Sequence, residues 1–111
     1  MVQKIVEYNL LFEVKDVLGR KIRTTKDYWL KIKTLKHREL KYGITEVKKT
    51  LTNPDEVRRS VADTTILLFA KYIKDYDILI VGVKTLNGNG FLVTCYQTTE
   101  YKKKGELLWP K

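Results

Sequence analysis

Apolar residues thicken along positions 2–14 into Leu10-Leu11-Phe12, break at Asp16-Val17-Leu18-Gly19-Arg20 and resume at Lys21-Ile22-Arg23. A glycine-bearing break between two such runs is a turn signal, so this stretch predicts a β-hairpin. Beyond it the period changes. Thr24-Thr25-Lys26-Asp27 offers a threonine oxygen to the unpaired N–H groups of a helix start, with Asp27 three residues after Thr24 as an acidic variant of the capping box. Trp29, Ile32, Leu35 and Leu40 then recur at helical spacing, with Lys31, Lys33 and Arg38 opposite. The first group is expected to pack and the second to stay wet. Tyr42-Gly43 interrupts this segment, and Ile44, Val47 and Leu51 mark a second short helix that Asn53-Pro54 must end.

After Asp55-Glu56-Val57-Arg58-Arg59-Ser60, three stretches rich in branched and aromatic residues follow at 65–73, 77–86 and 91–98, separated by short polar breaks. They predict an antiparallel meander. The joint Asn87-Gly88-Asn89-Gly90 is the sharpest signal, because tight hairpin turns need positive φ at residues that Gly and Asn tolerate best. A cationic run from Lys102 to Lys104 precedes Leu107-Leu108-Trp109, which is expected to dock on the domain. These elements predict one α+β domain over 1–111: an N-terminal hairpin, two helices, and a main antiparallel sheet of three to four strands.

Charge adds a direction. Twenty-two Lys and Arg against thirteen Asp and Glu give a net charge of +9, the electrostatic footprint of a partner for nucleic acid or another polyanion. Cys95 is the only cysteine, which excludes a disulfide framework, and its place within an apolar strand makes it core. One His, one Cys and carboxylates at no ligand spacing argue for neither metal nor cofactor. No stretch approaches the ~18 apolar residues of a membrane span, and the first residues lack the apolar core of a signal peptide. A cytoplasmic protein without membrane contact is the expectation.

Chemistry has few carriers. His37 is the sole histidine; stepping along the helix from Trp29 sets it about 80° away, on the flank of the apolar stripe, where an imidazole is both packed and accessible. The last strand alternates Thr94, Tyr96 and Thr98 on one face with Phe91, Val93 and Cys95 on the other. Arg58, Arg59 and Ser60 precede the meander, and Lys84 sits on the neighbouring strand, so cations and hydroxyls converge on a sheet able to grip a phosphate. Pairing Leu86 with Phe91 across the turn would set Lys84 opposite Val93, away from Thr94 and Tyr96, unless a bulge reverses the register. The lysines 102–104 add salt-sensitive attraction to phosphate.

The order of these motifs, from Trp29-Leu30-Lys31-Ile32 through His37-Arg38-Glu39-Leu40, Asn53-Pro54-Asp55-Glu56-Val57-Arg58-Arg59-Ser60 and Lys84-Thr85-Leu86-Asn87-Gly88 to Thr94-Cys95-Tyr96-Gln97-Thr98 and Gly105-Glu106-Leu107-Leu108-Trp109, resembles the small phage-type nuclease-like domains of the barnase, EndoU, colicin and RelE superfamily. The resemblance covers roughly 24–109 and implies a helical part on a curved antiparallel sheet of barnase/RelE type. It further implies RNA cleavage by 2′-hydroxyl attack without a metal, in a toxin-like or mobile-element setting where a protein antidote is a natural partner. By matched position it makes His37 the base or acid and Arg58 or Arg59 the phosphate clamp. Thr98, with Tyr96 or Thr94, becomes the hydroxyl group of the last strand. Ser60, Lys84 and Lys103 would join in holding substrate. Where such domains often carry a proline after the helix-end histidine, this chain has Arg38. A non-catalytic RNA- or DNA-binding module is the alternative, since charge and sheet aromatics suffice for it.

Overall fold

The computed structural model describes residues 9–36, 39–74 and 76–110. Strand β1 (Leu10–Lys15) and strand β2 (Lys21–Thr25) form the described part of the expected hairpin; positions 2–8 lie outside the described residues. The Asp16 carboxylate closes the turn, accepting from the backbone N–H groups of Leu18 at 2.9 Å and Arg20 at 2.8 Å. Thr25 then caps helix α1 (Lys26–Lys31), its Oγ1 accepting from the Tyr28 N–H at 3.1 Å.

From Ile32 to Lys36 the helix widens into a π turn. Ile32 and Leu40 are buried and Trp29 packs against the core, as the helical period predicts, but Leu35 is 74% exposed. A π turn closes at i+5 rather than i+4, so the residue three positions after Ile32 no longer falls on the same stripe. Helix α2 (Ile44–Thr52) starts where Glu46 Oε1 accepts from the Gly43 N–H at 3.0 Å, and it buries Val47, Thr50 and Leu51.

Five more strands follow: β3 (Glu56–Arg59), β4 (Ile66–Lys74), β5 (Asp77–Leu86), β6 (Asn89–Thr98) and β7 (Leu107–Trp109). The described strands form one seven-stranded sheet in the order β1-β2-β6-β5-β4-β3-β7. The α+β class stands, but two expectations about the sheet do not. The sheet is mixed rather than antiparallel, because β2 runs parallel to β6, with Ile22 beside Gly90 and Arg23 beside Phe91. The hairpin therefore extends the sheet instead of packing on it. Among the described residues the sheet also has seven strands rather than three or four, since β1 and β2 join one side while β3 and the docked tail β7 extend the other.

Helix α2 lies against β5, β4 and β1. Val47 and Leu51 meet Leu67, Phe69, Val81 and Leu92, all without exposed surface. Each such side chain removed from water contributes about 1.5–3 kcal/mol, which fixes this face of the sheet. Buried Cys95 belongs to the same cluster, and burial pushes its thiol up to about 12, so it stays protonated.

Candidate phosphate-binding face

Side chains alternate across a strand, so the residues between these core positions line the face that α2 leaves uncovered. Cross-strand pairing aligns them in rows. Arg58, Leu68, Gly82 and Thr94 form one row; Glu56, Ala70, Ile80 and Tyr96 form the next; Tyr72, Ile78 and Thr98 form a third. Segment 99–106 connects β6 to β7 across this side, and Tyr101 and Lys103 line a depression of about 350 Å³ together with Glu56, Ala70, Tyr72 and Ile78.

The register expected for Lys84 is corrected here. Asn87 and Gly88, with φ of 46° and 84°, make a two-residue turn, so Leu86 pairs with Asn89 rather than Phe91. The pairing then shifts between Gly82 with Thr94 and Val83 with Leu92, leaving Val93 as a bulge residue. Lys84 consequently pairs with Phe91 and shares the face of Thr94 and Tyr96. Phe91, expected on the opposite face, moves with it; its ring meets Tyr28 edge-on at 5.2 Å.

Toward the β3 side of the face stands an ion pair. Arg58 Nε donates to Glu56 Oε1 at 2.8 Å, with side chains only 17% and 14% exposed, and the Arg58 guanidinium also donates to the Gly105 carbonyl at 2.9 Å. Burial alone would raise the Glu56 carboxyl, but the hydrogen bond from Arg58, with the Tyr101 hydroxyl and the charges of Arg58 and Lys103, holds it below its usual value. The hydrogen bond to Glu56 in turn raises Arg58. Tyr101 is pushed upward by burial and by the neighbouring carboxylate, so its phenol stays protonated. Its buried hydroxyl faces that carboxylate and the Arg58 guanidinium. A carboxylate, a guanidinium and a neutral phenol thus meet beside a groove.

Other expected site residues are spread around this centre. Thr94 lies in the row of Arg58, and its methyl group occupies the space above Gly82, where a Cβ would meet Thr94 Cγ2 at 2.5 Å. Tyr96 is half-buried, which raises its phenol. Thr98 uses its hydroxyl locally, donating to the Glu100 carbonyl at 2.9 Å and accepting from the Glu100 N–H at 3.1 Å. Lys84 Nζ stands 3.4 Å from Asp63 Oδ2. Arg59, one residue beyond Arg58, falls on the opposite face and reaches Glu106 at 3.1 Å and the Thr64 carbonyl at 3.1 Å, so the two arginines do not share one ligand. Ser60 Oγ accepts from the Asp63 N–H at 3.3 Å within its own loop. His37 and Arg38 lie outside the described residues. On either side of them, Lys36 Nζ donates to the Val93 carbonyl at 2.8 Å and the Lys41 N–H to Gln97 Oε1 at 2.9 Å, both on β6.

Glu56 and Tyr101 escaped the reading of the sequence. Glu56-x-Arg58 carries a signal, because i and i+2 on a strand share a face; Tyr101 carries none, since only the path of 99–106 brings it there. Among the described residues no three His, Cys, Asp or Glu side chains cluster as metal ligands. No helix among them is long and apolar enough to cross a membrane. The chain matches no family model, no curated protein and no solved structure.

Proposed function

We propose that this protein is a metal-independent ribonuclease that acts on RNA in the cytoplasm. The observation carrying this reading is the largely buried Glu56–Arg58 pair beside the protonated Tyr101, in line with Thr94, on the sheet face that α2 leaves free. In the reaction the ribose 2′-oxygen bonds to the adjacent phosphorus, the phosphorus–O5′ bond breaks, and a 2′,3′-cyclic phosphate and a 5′-hydroxyl result. That chemistry needs a base for the 2′-proton, positive charge for the crowded phosphate, and an acid for the departing oxygen. Glu56, ionised at neutral pH, and His37 are the proton-transfer groups; Arg58 steadies the phosphate, and Tyr101 and Thr94 offer hydroxyls to its oxygens. In a toxin-like setting a protein antidote would cover this face.

The test is incubation of the protein with mixed RNA in EDTA, beside His37→Ala and Glu56→Gln variants. Wild-type cleavage leaving cyclic ends, with kcat/KM lowered by about 10²–10⁴-fold in each variant, supports the reading. Cleavage unchanged in both variants would remove these residues from the reaction. A second reading, a non-catalytic RNA-binding module, is favoured by one fact: Glu56, the carboxylate that would move the proton, is already engaged by Arg58. RNA that shifts on a gel and stays intact selects it.

A further inference from the structure

At the far end of the same sheet face, the β1–β2 hairpin and the β5–β6 turn enclose a second depression of about 670 Å³. Its walls carry Lys15, Lys21 and Arg23 on one side and Leu86, Asn87 and Asn89 on the other, with no acidic residue among the described residues of the lining. Lys15 and Lys21 pair directly across β1 and β2, and neither makes an ion pair among the described residues. Like charges placed opposite one another oppose strand pairing, so this arrangement weakens the hairpin unless an anion lies over it. Arg23 is held by Glu13, which leaves the two lysines as the charge uncompensated among the described residues. The turn adds carboxamides from Asn87 and Asn89, and Leu86, 44% exposed, supplies an apolar surface for a ribose or base.

From this cleft we infer an accessory subsite for the sugar-phosphate backbone of single-stranded RNA, remote from the Glu56–Arg58 centre. It rests on the ribonuclease reading only in the choice of RNA as occupant. From β3 to β2 the face crosses four strand spacings, β3-β4-β5-β6-β2, or about 19 Å at roughly 4.8 Å each. One nucleotide cannot touch both places; a polynucleotide strand can. The sheet thus holds its substrate at two points. The paired charges of Arg58 and Glu56 meet the phosphate to be cleaved, and the unpaired lysines draw in the strand some nucleotides away.

The experiment measures binding across a salt series for a 2′-O-methylated RNA of about twelve nucleotides. Without a free 2′-hydroxyl this RNA cannot be cleaved by the proposed route, so binding is read whether or not the protein is a nuclease. In Lys15→Gln/Lys21→Gln the slope of log K against log salt should fall by about 1.4, at roughly 0.7 for each single-strand phosphate that a lysine no longer neutralises. Binding of a dinucleotide should be unchanged. The control, Lys48→Gln/Lys49→Gln, removes the same charge from exposed positions on α2, across the sheet, and should keep the wild-type slope. Thermal unfolding of the Lys15/Lys21 variant at or above the wild-type midpoint confirms that it folds. Equal losses in both double variants would mean that overall charge governs binding, and would overturn the subsite. So would a slope unchanged in Lys15→Gln/Lys21→Gln, or a wild type that does not bind. Absence of RNA cleavage together with the predicted slope change would instead sink the ribonuclease reading and leave the subsite standing.

Discussion

Phe69 and Val81 face α2 with no exposed surface, while their neighbours Leu68 and Gly82 lie in the row of Arg58 and Thr94. The two sets belong to the same strands and differ by one position. On the helix side the residues are held by dense apolar packing, where any lost volume is felt. On the other side the cations of β3 and β5 each meet a carboxylate, Glu56 for Arg58 and Asp63 for Lys84. Substitutions on the first face should therefore be read in stability, and those on the second chiefly in chemistry and pH response.

The sharpest break is Phe69→Ala. It empties a fully buried ring site and should cost about 3–5 kcal/mol, seen as a lower urea midpoint with the opposite face otherwise intact. Gly82→Ala tests the opposite face, where the new methyl would meet Thr94 Cγ2 at 2.5 Å; overpacking of this kind costs about 1–3 kcal/mol. Adding Thr94→Ala should recover part of that loss, because substitutions in contact are not additive, whereas adding Phe69→Ala should recover none.

The smallest expected effect is one of pH. With its carboxyl held below the usual value, Glu56 favours folding above the pH at which glutamates of the unfolded chain ionise, and this contribution fades as pH falls through the depressed value. The difference in urea midpoint between wild type and Glu56→Gln should therefore be largest at neutral pH and vanish in acid. A difference that grows on acidification would contradict the pairing with Arg58.

Much of the helix face was legible because it rests on local periodicity. Ile32, Val47 and Leu51 declared themselves by spacing, and Asn87-Gly88 by the positive φ that its turn requires. What escaped is what depends on distant partners. β3 and β7 are too short and too polar or isolated to read as strands; β3 is defined by pairing with β4 and β7 by pairing with β3. The parallel alignment of β2 with β6 has no sequence pattern of its own. The candidate site divides the same way: Arg58, Thr94 and Tyr96 were found by residue type and alternation. Lys84 reached their face through a bulge that alternation does not reveal, and Arg59 left it because adjacent strand residues point oppositely.

The carbonyl that steadies Arg58 belongs to Gly105, 47 residues further along the chain. At a synthesis rate of about 5–20 residues per second, roughly 2–9 s separate the emergence of the guanidinium from that of its carbonyl partner, and Tyr101 arrives only shortly before it. During that interval β3 lacks β7 and the Glu56–Arg58 pair lacks its cover. Translation order therefore delays completion of the candidate centre, and a nascent chain close to ribosomal RNA carries the cations before it carries the finished site.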